Sequence, residues 1–190
     1  MDRNLAARVA RGQIVEVSGR FSRHAGPKIR TLAGSSAGGR WGRSNTFPVI
    51  YLGRPVASVV AEAYRRLVDG VEGMTADLVG PRTIFDVDVS VSQILDLRDP
   101  ETLALVGLDE PAALTGGYGP CQRVGQAAHQ LGLHGILAPA ATELGETLAL
   151  FERHLPEREL PTIVAEGHWE KLPPDPRSEE QRARQLQRTG

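Results

Sequence analysis

The chain has 190 residues, which predicts one domain with room for a tail and burial of about 70% of the unfolded surface. Hydrophobic residues make up 41% and charged residues 24%, the balance of an ordinary globular protein. A formal net charge of −1 gives too weak a field for a nucleic-acid or membrane-surface binder, while leaving room for a local basic cleft around a small anion. The single cysteine, Cys121, excludes an intrachain disulfide. The start, Met1-Asp2-Arg3-Asn4-Leu5, lacks the apolar core of a secretion signal, so the cytoplasm is the expected compartment.

Residues 3–11 read as a short helix with Leu5, Ala6 and Val9 on one side. The alternation of residues 14–21 predicts a strand, and Arg23 follows it. Gly34-Ser35-Ser36-Ala37-Gly38-Gly39-Arg40-Trp41-Gly42 is a loop rich enough in glycine to imply tight turns or a close approach. Residues 48–52 read as a short buried strand. A helix over 55–69 follows, with Pro55 suited to its first turn. Val56, Val59, Val60, Ala63 and Leu67 form its apolar face, and Glu62 points roughly 130° from the centre of that face. Residues 84–89 and 94–97 read as two strands. Asp99-Pro100-Glu101 starts a short helix. The loop Gly116-Gly117-Tyr118-Gly119-Pro120 leads into a helix over 120–131, with Cys121, Val124, Ala128 and Leu131 inward. Strands are predicted over 135–139 and 147–151, and a further one over 160–164. Beyond Pro173-Pro174-Asp175-Pro176 the chain is charged, and Arg177, Arg182, Arg184 and Arg188 read as a solvated face or a disordered tail. Short strands mixed with helices give the α+β class, as one domain holding a small mixed or antiparallel sheet flanked by helices.

Several chemistries have no motif here. There is no Gly-Lys-Ser/Thr phosphate loop, no Gly-x-Gly-x-x-Gly and no Gly-x-Ser-x-Gly elbow. The histidines His24, His129, His134, His154 and His168 do not make a zinc pattern, so no metal is expected. Cys121, on an inward helix face, reads as a buried structural thiol.

Gly38-Gly39-Arg40-Trp41, then Val49-Ile50-Tyr51-Leu52, then Ala61-Glu62 occur in an order that resembles the RES-domain family, named for its arginine, glutamate and serine. The family's glutamate follows its tyrosine by eleven residues, as Glu62 follows Tyr51. Phe21-Ser22-Arg23-His24-Ala25-Gly26 is similar to the segment with the family's first functional arginine, which falls on Arg23. His24 stands where many members have an aromatic residue. Cys121-Gln122, Gly125 and Gly135-Ile136-Leu137-Ala138-Pro139 resemble the late helix and strand, so the likeness covers residues 13–163. Residues 1–12 are then an N-terminal helix or arm, and residues 164–190 a charged tail or helix.

The resemblance implies a toxin of a bacterial toxin–antitoxin pair that degrades NAD at its nicotinamide–ribose bond, commonly by phosphorolysis, on a fold like that of ADP-ribosyltransferases. It implies an Xre-type helix-turn-helix antitoxin as partner, with a homodimer inside that complex as one form of assembly. No cofactor is implied beyond NAD as substrate, with inorganic phosphate as co-substrate. The alternatives are an NAD glycohydrolase, an ADP-ribosyltransferase, or a non-catalytic homologue that only binds NAD or a partner protein. The family serine is missing. Pro139-Ala140-Ala141-Thr142 replaces the Pro-Ser-Ala-Arg of many members, and Tyr118-Gly119-Pro120-Cys121-Gln122 has no serine either. Thr115, Tyr118, Thr142 and Thr147 are the hydroxyls nearby.

The chemistry explains why such residues are wanted. Cleaving the bond develops positive charge on the ribose, as in glycoside hydrolysis, and a carboxylate stabilises it. Glu62 is the candidate for that carboxylate, although by itself it reads as a solvated helix residue. Phosphate and pyrophosphate call for arginines, which bind such oxygens bidentately. Arg23 is the first candidate and catalytic with Glu62. Arg40 is the second, with the alternative of structuring its own loop through backbone carbonyls. Tyr51 is placed to stack on nicotinamide or bond the ribose, or else is a core residue with a satisfied hydroxyl. His24 lines the pocket or lies on the surface, and Trp41 reads as packing.

Overall fold

The computed structural model describes residues 3–109 and 116–187. Two long strands frame it. β1 (Ile14–Ala25) and β3 (Arg82–Asp96) pair antiparallel from Ile14↔Leu95 to Ala25↔Thr83. β2 (Val49–Arg54) pairs with β5 (Glu146–Phe151), which pairs in turn with β4 (Gly135–Pro139), both antiparallel. β4 then joins the end of β3 in parallel, and Ser22↔Gly53 joins β1 to β2. The order β1-β2-β5-β4-β3 therefore returns to β1 and closes a five-stranded barrel. β6 (Thr162–Trp169) lies outside the ring, antiparallel to the first half of β3.

The α+β class holds, as one domain with a mixed sheet and flanking helices, and that sheet closes into a barrel. The reason is the length of β3. Its 15 residues give one edge to β1, while its other edge carries β6 first and β4 afterwards. Long strands twist, and a twisted sheet of short partners meets itself. The two predicted strands over 84–89 and 94–97 are this one strand. Gln93, at φ 55°, marks a local kink just after Ser90 and Ser92, where the sequence suggested a boundary. β1 likewise runs on past residue 21, so Arg23 and His24 lie inside a strand rather than after it.

The pleat sorts the core. Phe21, Leu52, Phe85, Leu137 and Leu148, one from each ring strand, belong to one buried cluster, which is the barrel interior. Trp41, Phe47, Val49, Ile136 and Phe151 belong to a second cluster on the outer face. It is covered by α1 (Arg3–Val9) and α4 (Gly119–Gln130), through Leu5, Val9, Cys121, Val124 and Ala128. Leu131 is not inward as expected; it is the exposed C-cap of α4, and Ala127 is buried instead. α3 (Pro100–Leu105) is capped by Asp99, whose side chain accepts from Thr102 N at 2.8 Å.

A third, smaller cluster holds the elements around Glu62. α2 (Val56–Tyr64) runs back along β1 and β2 and continues as one π-helical stretch, Arg65–Asp69. Val60, Ala63, Tyr64 and Val68 pack there against Leu172 and Trp169. The strand expected over 160–164 begins at Thr162, because Glu157–Glu159 form a 3-10 turn. In that turn Glu159 accepts from Ser92 N at 3.0 Å and lies 2.9 Å from His134 Nδ1.

The charged end of the chain is not a solvated face throughout. α5 (Glu179–Gln187) follows Arg177, whose side chain is fully buried. Arg177 donates to Asp69 at 2.6 Å, to Asp175 at 2.8 and 3.0 Å and to Gln185 at 2.9 Å. The acidic partners lie in the π-helical stretch and in the proline run, which no helical periodicity places next to Arg177. Arg184 ties α5 to Glu143 at 3.1 Å.

Candidate active site

Pro55 ends β2 and caps α2, and Ser58, Val59, Val60, Ala61, Ala63 and Tyr64 are all buried. Glu62 is what the apolar arc leaves facing outward. Its side chain keeps 37% of its exposure, and Arg65 Nη1 stands 3.9 Å from its Oε1. Burial among surrounding atoms pushes the Glu62 carboxyl above the usual glutamate range, against the pull of Arg65, Arg40 and Arg177. The carboxylate is thus reached by water while neighbouring protein atoms still disfavour its charge. That reconciles an outward-pointing helix position with a perturbed carboxylate.

The loop Gly38-Gly39-Arg40-Trp41 is clamped from three sides. Tyr51 accepts from Trp41 N at 3.0 Å, Gln122 donates to the Gly39 carbonyl at 2.9 Å, and Gly39 N donates to Gly42 O at 2.8 Å. Two glycines are required by contact. A Cβ on Gly39 would lie 2.7 Å from Tyr51 Oη, and one on Gly125 would lie 2.0 Å from the Trp41 carbonyl oxygen. Gly125→Ala is therefore expected to cost about 1–3 kcal/mol, the usual scale of overpacking, because a backbone carbonyl cannot step aside. Urea unfolding with an unchanged midpoint would contradict it. Trp41 is 1% exposed and packs, as expected.

Arg40 does not bond its own loop's carbonyls. Its Nη1 stands 3.9 Å from Cys121 Sγ, and its guanidinium lies 4.9 Å from the centroid of Tyr118. Its Nη2 is buried with no hydrogen-bond partner among the described residues. Tyr51 faces the same space on the outer side of β2, next to Val49 in register. Burial, opposed by the Trp41 amide, pushes its phenol up to about 12, so the hydroxyl stays neutral while Arg40 and Tyr118 stand near. Cys121 is fully buried, and burial raises its thiol, as suits a structural residue.

Arg23 lies elsewhere. It shares the inward face of β1 with Phe21 and Ala25, at the end of the barrel. Its Nη1 donates to Leu32 O at 3.1 Å and to Ala33 O at 3.2 Å. His24 points to the opposite face and accepts on Nδ1 from Arg82 at 3.2 Å. Burial first, then Arg82, Arg66 and Arg23, hold His24 down to about 3. Arg23 and Glu62 make no hydrogen bond or ion pair with each other among the described residues. Glu62 thus feels the charge of Arg40, and Arg40 that of Tyr51, whereas Arg23 and His24 lie on opposite faces of β1 and bond other partners.

Of the hydroxyls near the missing serine, Thr142 is fully buried and its Oγ1 has no partner among the described residues. Thr147 sits within β5 opposite Gly53. Tyr118 is the one at Arg40, and Thr115 lies outside the described residues. Arg65 and Arg66 were open to discovery from sequence, being three and four residues beyond Glu62. Tyr118 and Arg82 come to the site only through tertiary structure. Among the described residues no group of three His, Cys, Asp or Glu side chains could hold a metal, and no helix is long and apolar enough to cross a membrane.

The chain is 29% identical over 156 residues to the NAD(+) phosphorylase MbcT of Mycobacterium tuberculosis, covering 80% of this chain and 84% of that protein. The protein of the same name from Mycobacterium bovis matches equally. In three dimensions the chain is similar to one in the crystal structure of the M. tuberculosis MbcT–MbcA toxin–antitoxin complex. The TM-score is 0.79 at 28% identity, over 88% of this chain and 93% of that one. Residues 15–171 match the RES domain. The chain belongs to the RES domain family.

Proposed function

We propose that this chain is the toxin of a toxin–antitoxin pair and that it degrades NAD by phosphorolysis. The observation that carries the proposal is the carboxylate of Glu62, crowded by protein yet open to water, with Arg65 and Arg40 beside it. The likeness to MbcT supports the reaction, and the toxin–antitoxin complex supports a protein partner. An Xre-type helix-turn-helix antitoxin, a cytoplasmic setting and a finer likeness to ADP-ribosyltransferases belong to the same reading.

In this reaction a phosphate oxygen bonds to the anomeric carbon of the nicotinamide ribose while the carbon–nitrogen bond breaks. The electron pair of that bond stays with the pyridinium nitrogen, and nicotinamide leaves neutral. The other product is ADP-ribose phosphorylated at its anomeric carbon. The Glu62 carboxylate faces the cation that develops on the ribose. Two unit charges about 4 Å apart at an effective dielectric near 20 attract by about 4 kcal/mol. Felt mainly in the transition state, that is roughly a thousandfold in rate. Arg40, with an unpartnered buried donor, holds a pyrophosphate oxygen, and Arg23 anchors the second anion. Tyr51 holds the Trp41 loop and presents its neutral ring to the nicotinamide ribose. NAD is the substrate, phosphate the co-substrate, and no further cofactor is called for.

The test is to incubate the protein with NAD, with and without phosphate, and to identify the products. Phosphate-dependent loss of NAD with a phosphorylated ADP-ribose is the expected result. Free ADP-ribose in both conditions would make the protein a glycohydrolase, and no loss of NAD would overturn the enzyme reading.

A further inference from the structure

We infer that Tyr118 is a positioning residue for substrate binding, whose ring holds the Arg40 guanidinium ready for an anionic oxygen of the substrate. The role rests on the reaction proposed above, in which Arg40 binds the pyrophosphate of NAD. Arg40 makes no ion pair with any described residue. Its Nη1 has only Cys121 Sγ at 3.9 Å, a weak acceptor, and its Nη2 is buried without a partner. A guanidinium donor shut away from water with its hydrogen bond unmade is costly. Such a donor fits an acceptor that arrives with the substrate.

What holds that guanidinium is the Tyr118 ring, whose centroid lies 4.9 Å from it. A cation–π contact attracts positive charge to the ring face without neutralising it. A carboxylate in the same place would hold Arg40 as firmly but would compete with a phosphate oxygen for its donors. The structure shows no other task for the Tyr118 side chain. It is 47% exposed and belongs to none of the three hydrophobic clusters. It stands at the N-cap of α4 and makes no side-chain cap hydrogen bond there.

The backbone around Arg40 does not need the ring. Tyr51 accepts from Trp41 N at 3.0 Å, and Gln122 donates to the Gly39 carbonyl at 2.9 Å. Gly125 lets α4 lie directly against the Trp41 carbonyl. These contacts fix the chain on both sides of Arg40. They leave its guanidinium, at the end of a long flexible side chain, to be ordered by Tyr118 and Cys121. Ordering it before the substrate arrives lowers the entropy lost on binding, so the benefit appears in affinity. The contact with Tyr118 depends on the ring face and not on the hydroxyl, which makes the two parts of the side chain separable by substitution.

The experiment is calorimetric titration of the protein with ADP-ribose, which carries the pyrophosphate of NAD and has no nicotinamide bond to break. Wild type and Tyr118→Phe are expected to bind alike, since both present a ring. Tyr118→Leu keeps the bulk and loses the ring face. It is expected to bind about fivefold more weakly, the scale of a partly exposed cation–π contact. In an Arg40→Gln background Tyr118→Leu should make no further difference, because the ring acts through the guanidinium. A purely structural role for Tyr118 would weaken binding in either background. Titrating at a temperature where melting curves show every variant folded keeps stability out of the comparison. Three results would each overturn the inference: a Tyr118→Leu effect that persists without Arg40, a loss in Tyr118→Phe, or equal binding by Tyr118→Leu and wild type. Failure of wild type to bind ADP-ribose would overturn it too. The titration reads no turnover, so a protein that binds in this pattern and fails to consume NAD would count against phosphorolysis alone.

Discussion

Glu62→Gln is expected to fold normally and to lose at least about a hundredfold in the rate of NAD loss. The amide keeps the shape of the side chain and forfeits the charge that faces the ribose cation, which is most of the Coulomb attraction. Stability should not fall with activity. The Glu62 carboxyl is raised above its ordinary range by burial, so the fold disfavours its ionised form. That penalty is absent below the unfolded glutamate pKa and complete above the folded one. At neutral pH the neutral amide escapes it, and the variant should melt at or slightly above the wild-type temperature. The same shift predicts a wild-type rate that climbs with pH through a pKa above the usual glutamate range. Glu62→Gln should lack that limb. An undiminished rate in this variant would show that another carboxylate does the work.

Arg177→Ala should be the most destabilising of the single substitutions considered. Its guanidinium is fully buried, and removing it leaves Asp69, 7% exposed, and Asp175, 13% exposed, as carboxylates without their main partner. Breaking a buried pair from one side costs about 3–5 kcal/mol. For a chain of this size that lowers the melting temperature by roughly 10 °C. The loss should shrink in acid. Burial disfavours the charge of Asp175, but the Arg177 hydrogen bonds outweigh it and hold the carboxyl below its ordinary value. Its stabilisation is therefore present above the unfolded carboxylate pKa and disappears as pH falls through the folded one. Calorimetric melting at neutral and acid pH checks both points. A change of under about 1 kcal/mol at neutral pH would mean that the ion network is cosmetic.

Much of this architecture is written locally. The alternation of residues 14–21 and 84–89 announces the long strands. Asp99-Pro100 announces a capped helix, and the spacing of Val59, Val60 and Ala63 the buried face of α2. The glycines at 39 and 125 were visible as part of a family pattern, although their reason is not local. Each leaves room for one particular atom, Tyr51 Oη and the Trp41 carbonyl oxygen, that arrives from a distant part of the chain.

Glu62 shows where sequence by itself stops. Periodicity sets its direction, off the apolar face of its helix. What surrounds the carboxylate depends on Arg40 and Arg177 as well as its own helix, and these lie 22 and 115 residues away in the chain. Sequence determined the α+β class, the helix that carries the carboxylate, and the family to which the arginine and glutamate belong. Only the tertiary structure decided that the sheet closes, that Arg177 is buried, and that Arg23 bonds the carbonyls of Leu32 and Ala33 rather than Glu62. The physical reason is common to all three. Strand closure, charge burial and the anchoring of an arginine are set by partners outside its own element, and no local period records which groups will meet.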